Sequence, residues 1–199
     1  MNNLYQNKNK LFPVTIDITG NKYIINADYR AVLRIFAILH DKNVNEYKRV
    51  EKLIEWFFAD ELPENITLEM INAAFADFVN PPKETVSDYS ERDGELQENQ
   101  YDYDFDAEEI YASFIAEYGI DLIEVEFLHW YKFKILLSNL PPESAFKRKI
   151  ELRFMDLSPY KGQALADMTR AKEAVQLPVE YSDDELQEMR EFEDLWGKL

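Results

Sequence analysis

The run from Phe105 to Met155 is the one the rest of the chain is arranged around, and its spacing predicts three consecutive helices. The middle one, about Asp121 to Asn139, is apolar nearly all the way round at roughly 100° per residue. Leu122, Ile123, Val125, Phe127, Leu128, Trp130, Phe133, Ile135, Leu136 and Leu137 cover most of its circumference. Asp121, Glu124, Tyr131, Lys132, Ser138 and Asn139 gather into a narrow polar stripe, with Glu126 and Lys134 outside it. A helix of this kind has to be wrapped by others. Charge interrupts its apolar runs well short of the ~18 residues a bilayer span needs, which makes it a core helix.

Upstream, Phe12 to Ile18 and Lys22 to Ile25 are two β-rich runs about a Gly20-Asn21 turn, predicting a hairpin over 13–26. Such a hairpin needs a helix to lie on. Asn26 to Asp28 offers caps for a helix to about Leu39, with Val32, Leu33, Ile35, Phe36 and Leu39 at helical spacing. A second helix runs from about Asn45 to Ala59, and a third from Thr67 to near Val79, where Pro81-Pro82 stops it. Downstream, Glu143 to Met155 and Pro159 to Val175 are helical, and Pro178 ends the second. Ser182 with Glu185 fits a capping box, opening an acidic helix with an apolar stripe of Leu186, Met189, Phe192 and Trp196. The expected fold is mainly α, a compact helical bundle of about seven to eight helices with one small N-terminal β-hairpin. Residues 1–80 hold the hairpin and three helices, and 81–104 form an acidic linker. Residues 105–178 form a helical core packing on the N-terminal part, and 179–199 an acidic C-terminal helix or tail.

Charge sharpens these divisions. Of the net −17, residues 81–109 carry −9 and residues 180–199 carry −6, so the regions predicted to fold are near neutral. Residues 81–104 are poor in aliphatic groups and bury too little to offset the entropy of ordering them. Their Tyr89, Tyr101 and Tyr103 are exceptions, able to dock locally or on a partner. No dominant basic face exists to release counterions from duplex DNA, so no nucleic-acid partner is expected. Cysteine is absent, which excludes a disulfide frame, thiolate metal ligands and a cysteine nucleophile. The N-terminus has no apolar segment behind its charge, so no secretory signal is read there. Neither a membrane association nor a cofactor is expected.

Candidate chemistry is sparse. Asp102, Asp104, Asp106, Glu108 and Glu109 resemble the start of a calcium loop, but the sixth position lacks glycine and the twelfth is Ser113. Their simpler reading is a solvated acidic run favouring the positive end of the next helix. His129 has no orienting partner or nucleophile in its pattern and reads as a hydrogen-bonded core histidine. His40 ends a helix and reads as a cap. Glu124 and Glu126 point apart on a helix, so they are not an acid–base pair. No phosphate-binding, dinucleotide, zinc-protease or nucleophile-elbow motif is present, and with 5 glycines there is little to build one from. No catalytic, cofactor or metal site is expected, and the protein is read as a non-enzyme. The basic cluster Lys147, Arg148, Lys149 and Arg153 has the charge to grip nucleic acid but reads more simply as a solvated face, with the acidic linker or tail available as an intramolecular partner. Candidate partner-binding residues are therefore Leu186, Met189, Phe192, Trp196, Lys147, Arg148 and Arg153.

The run from Asp104 to Pro141, with Tyr103-Asp104-Phe105, Ile110-Tyr-Ala-Ser-Phe114 and Leu128-His-Trp130 in this order, resembles the bacteriophage gene product 15 family. That family belongs to long-tailed phages and prophages of Gram-positive bacteria. Ile24-Ile-Asn-Ala-Asp-Tyr-Arg30 and Ile54-Glu-Trp-Phe-Phe58 extend the similarity, which covers most of residues 10–178. The family has no catalytic residues to carry over. Its genes usually lie just before the tape-measure gene, which implies a tail assembly chaperone working in the host cytoplasm. The implied partners are the phage tape-measure protein and the tail tube protein, and a homo-oligomer is a separate expectation for the chain. Exposed apolar helix surfaces and solubilising charge are compatible with that role. The alternatives are a structural tail or connector component retained in the virion, and an acidic nucleic-acid mimic that binds a host protein.

Overall fold

The computed structural model describes residues 11–81 and 100–178. Among these residues the fold is mainly α, with seven helices and one two-stranded antiparallel hairpin. The strands are Thr15–Ile18 (β1) and Asn21–Ile24 (β2), paired Thr15 to Ile24 through Ile18 to Asn21. The helices are Tyr29–His40 (α1), Glu46–Phe57 (α2), Leu68–Val79 (α3), Ala107–Tyr118 (α4), Trp130–Ser138 (α5), Ala145–Phe154 (α6) and Gly162–Ala174 (α7). The chain divides into two compact units, Met1–Arg148 and Lys149–Leu199.

The hairpin turn lies one residue earlier than the Gly20-Asn21 expectation. Its central residues are Thr19 (φ 53°) and Gly20 (φ 85°), with Asn21 already in the strand. Two consecutive positive φ values match the right-handed twist of the strands. Glycine takes this conformation freely, but β-branched threonine does not. The Asp17 Oδ1 accepts from Gly20 N at 2.8 Å and ties the turn to β1.

Capping residues start the first three helices where the sequence placed them. Asp28 accepts from Arg30 N, Asn45 from Lys48 N and Thr67 from Met70 N. The apolar faces of these helices bury Val32 and Ile35, Leu53 and Phe57, and Ile71, Phe75 and Phe78.

The expected helix over 121–139 is half as long, and this is the largest correction. Gly119, at φ 63°, closes α4 by donating to Ile115 O. Asp121 then accepts from Ile123 N and Glu124 N, and Val125 N returns to Asp121 O, so one isolated turn forms. Residues 126–130 direct their backbone elsewhere. Leu128 N donates to Asp28 Oδ2, Leu128 O accepts from Tyr29 N, and Trp130 N donates to Ala27 O at 2.7 Å. A continuous helix would forfeit these bonds, so α5 begins at Trp130 with His129 as its cap. The consequence is exposure: Ile123 and Phe127, expected in the core, are 70% and 53% accessible, and Ile135, inside α5, is also exposed at 50%.

The short α5 is nevertheless central to its unit. Trp130, Phe133 and Leu137 are buried. The Phe133 ring stacks on Tyr29 (4.7 Å between centroids), Phe114 (5.3 Å) and Trp130 (5.8 Å). Tyr103, from the predicted linker, docks beside Trp130 and stacks on Phe36, while Tyr101 meets Phe146 edge-on. Ser113 accepts from Phe146 N at 3.0 Å, attaching the start of α6 to α4.

In the second unit, Arg153 Nε donates to Val175 O, Gln176 Nε2 to Arg153 O and Lys172 Nζ to Met155 O. These bonds hold the last turn of α6 to the end of α7. The latter begins at Gly162, three residues after the expected Pro159, because 158–159 form a turn capped by Asp156 on Ser158. No residue of α7 is fully buried.

Two outcomes follow from this packing. Thr19→Asn should stabilise the fold by about 1 kcal/mol, the order of the left-handed penalty relieved, read as a rise of a few degrees in Tm. A lower Tm would mean that the Thr19 side chain contributes more than its backbone conformation costs. Trp130→Ala should destabilise by roughly 3–5 kcal/mol, as for a large aromatic removed from a packed core. An unchanged denaturation midpoint would contradict the burial of Trp130.

Candidate partner-binding surface

Two stretches far apart in sequence meet at the Asp28 carboxylate. Asp28 is buried, and its Oδ1 accepts from Arg30 N (3.0 Å) and Arg30 Nε (2.8 Å). Its Oδ2 accepts from Arg30 Nη2 (3.0 Å) and Leu128 N (3.1 Å). Burial acts to raise the Asp28 pKa, but the Arg30 side chain, the two backbone N–H groups and the Arg30 charge outweigh it. The carboxyl is held below its ordinary range. Arg30 Nη2 reaches on to Glu126 O at 2.9 Å, so one guanidinium bridges both stretches. Tyr29 OH donates to Leu122 O at 2.6 Å, securing the start of the same loop.

His129 completes the junction. Its Nδ1 accepts from Tyr131 N at 3.0 Å, which leaves Nε2 as the protonated nitrogen donating to Pro13 O at 2.9 Å. The neutral ring is therefore fixed in one tautomer. Around it stand Tyr131 (5.3 Å), Phe12 (5.4 Å), Phe78 (6.1 Å) and Phe127 (6.4 Å). Burial pushes Tyr131 up to about 12. The ring network runs from buried Phe78 to the exposed face of Phe127, so an apolar surface here rests on a rigid base. Glu124 and Glu126 flank that surface in sequence, both exposed. Both nitrogens of His129 are engaged in structural bonds.

The sequence-predicted site residues fall in two places. Leu186, Met189, Phe192 and Trp196 lie outside the described residues. Of the basic cluster, Arg148 is exposed, Lys147 is half-buried with its pKa lowered by burial, and Arg153 is buried against Val175 O. These three do not share one solvated face, because the α6 face that carries Arg153 is turned inward. The acidic run beginning at Asp102 is engaged with its own backbone: Asp102 accepts from Asp104 N and Phe105 N, and Asp106 accepts from Asp102 N. His40 Nδ1 lies 2.8 Å from Phe36 O at the end of α1. Ile123, Phe127 and the Asp28–Arg30 pair were missed as a surface. The one available signal was the Asp-x-Arg spacing directly before an apolar helix.

The histidine gives the junction a pH signature. Burial holds His129 below its ordinary value, with the Pro13 bond acting the other way. The unfolded chain thus takes up a proton near about pH 6.5 that the folded chain accepts only at lower pH. Its contribution is full above that value and falls as pH drops through the window between the two. Asp28, whose folded pKa is depressed, loses its contribution only at still more acid pH. His129→Asn keeps a side-chain acceptor for Tyr131 N and removes the titration. Urea unfolding of this variant should show a flatter stability slope between about pH 5 and about pH 7 than the parent. An unchanged slope would assign the titration to another group.

Among the described residues no helix is long and apolar enough to cross a membrane. Nothing among curated proteins or solved structures matches the chain. The model of one family, described as bacteriophage Gp15 protein, matches residues 8–177. That span includes both stretches that meet at Asp28, and the chain belongs to the bacteriophage Gp15 protein family.

Proposed function

We propose that this chain is a non-enzymatic tail morphogenesis factor. In this reading it is a chaperone, acting in the cytoplasm of the bacterial host, that holds the tape-measure protein until tail-tube subunits polymerise around it. The observation that carries this reading is the family match over residues 8–177, and the resemblance implies genes that lie beside the tape-measure gene. Physical features support it without singling it out. A long helical client needs apolar anchors in a charged setting. The chain supplies exposed Ile123 and Phe127 on a rigid base, and a net charge of −17. The C-terminal stripe Leu186, Met189, Phe192 and Trp196 is a second candidate anchor row, since it has the spacing of helix-in-groove binding.

The test is co-expression with the tape-measure protein of the same phage, followed by capture and by mass spectrometry of purified virions. The chaperone reading expects the tape-measure protein to stay soluble only beside this chain, and the chain to be missing from mature particles. Stoichiometric retention in virions would replace it with a structural tail role. Deleting residues 179–199 should leave the melting transition in place and reduce capture of the tape-measure protein. Unchanged capture and an unchanged sedimentation profile would remove the tail from the binding surface.

A further inference from the structure

The hairpin has two edges, and among the described residues only the β2 edge finds backbone partners. Ile25 N donates to Val14 O at 2.9 Å, and Ile16 and Ile18 stand opposite Tyr23 and Asn21 in the ladder. Hydrogen-bonded and non-hydrogen-bonded pairs alternate along an antiparallel ladder. With Val14, Ile16 and Ile18 bonded inward, the N–H and C=O groups of Thr15 and Asp17 point away from β2. On the β2 side, Ile24 N donates to Asp60 Oδ2 at 2.8 Å, and Ile24 O accepts from Ala59 N at 3.0 Å. On the β1 side, no hydrogen bond reaches the outward backbone of Thr15 or Asp17 among the described residues. Both residues are exposed.

A row of unpaired backbone groups on an edge strand is a template for another strand. The residues of β1 fit it to a second copy of itself. Antiparallel pairing has to match outward residues with outward residues, so Thr15 and Asp17 decide the register. Thr15 opposite Thr15 sets Asp17 against Pro13, which has no N–H to donate. Asp17 opposite Asp17 sets like charges face to face. It also runs Thr15 into Thr19, whose φ of 53° belongs to the turn. Thr15 opposite Asp17 avoids both faults. Two-fold symmetry makes that pair occur twice, each time with a hydroxyl donor across from a carboxylate. Each Asp17 then lies between this hydroxyl and its own cross-strand neighbour Lys22. On the other face the same register sets Ile16 against Ile16, and Val14, 46% accessible, against Ile18.

We propose that the free edge of β1 pairs antiparallel with the β1 edge of a second copy, Thr15 opposite Asp17, to make one four-stranded sheet across a two-fold axis. The two Thr15–Asp17 pairs each exchange both backbone bonds, and Ile16 meets Ile16 on the axis in a non-hydrogen-bonded pair. The strand is only 4 residues long. The contact therefore stays below the ~1,000 Å² of a stable interface, and the dimer is weak and reversible. Pro13 before the strand and the turn at Thr19 after it end the pairing on both sides, so the edge closes on a dimer. The inference is independent of the chaperone reading and would stand if that reading failed.

The absence of cysteine lets single substitutions read the register directly. Thr15→Cys, Ile16→Cys and Asp17→Cys are made separately in the full chain, with Tyr47→Cys on α2, 80% accessible, as the reference. Facing Cβ atoms in a non-hydrogen-bonded pair lie within disulfide reach. Ile16→Cys should therefore oxidise to a linked dimer roughly tenfold faster than Tyr47→Cys, at a rate that rises with protein concentration. Thr15→Cys and Asp17→Cys should match the reference. Fastest linking at Thr15→Cys or Asp17→Cys would mean another register, and equal rates at all four positions would mean no pairing. Either result overturns the proposal. The parent chain, labelled with isotope, gives a second reading that needs no substitution. As concentration rises, the amide signals of Thr15 and Asp17 should shift most, and those of Ile16 and Ile18, already bonded to β2, should shift least. Signals of Thr15 and Asp17 that do not depend on concentration would equally overturn it.

Discussion

The first unit depends on the carboxylate of Asp28. Buried carboxylates are costly unless their oxygens are hydrogen-bonded, and this one accepts from two backbone N–H groups and one guanidinium. The arrangement fixes three things together. It caps α1, it sets the position where α5 begins, and it joins backbone from the two ends of the unit. Because Arg30 serves both Asp28 and the Glu126 carbonyl, the charge pair and the loop conformation are one cooperative arrangement. The neighbouring backbone extends the junction, with Ile25 N bonded to Val14 O and Asn26 N to Phe57 O. Residues 24–30 are thus the strap against which the hairpin, the end of α2 and the entry to α5 are all aligned.

Local signals in the sequence were sufficient wherever local interactions decide the structure. Asp28, Asn45 and Thr67 announce their helices because a capping side chain bonds a backbone group two or three residues away. The hairpin was legible for the same reason, although its turn lies at Thr19-Gly20 because Asp17 rather than Asn21 holds the loop. The helix over 121–139 failed for the opposite reason. Its apolar pattern is genuine, but the backbone of Leu128 and Trp130 is claimed by residues a hundred positions earlier, and periodicity does not register such a claim. The exposed Phe127 surface is a product of that interruption, so it was invisible for the same cause. The basic cluster on α6 was overcounted because helical spacing alone does not say which face is inward, and Arg153 is on that inward face.

Two of the runs that carry the family resemblance are Asn26-Ala-Asp-Tyr-Arg30 and Leu128-His-Trp130, and the structure gives both a physical meaning. They are the two faces of one junction. A stretch that binds a partner and a stretch that binds another part of the same chain can look alike in a sequence. Here most of the polar atoms in both runs are used internally. What the junction leaves exposed is the apolar surface of Ile123 and Phe127.

The bond from Leu128 N to Asp28 spans 100 positions, and this bears on how the protein is made and how its relatives can vary. A ribosome releases the hairpin and α1 long before residues 127–130 exist, so the strap waits with its donors and acceptors facing water. Completion of the unit is a late event that closes a large loop. The entropic cost of such a loop rises only logarithmically, by about 0.6 kcal/mol per doubling of its length. The acidic stretch between Pro81 and Gln100 lies inside this loop. It can therefore lengthen or shorten among members of the family at little thermodynamic cost, so long as Asp28 still finds Leu128.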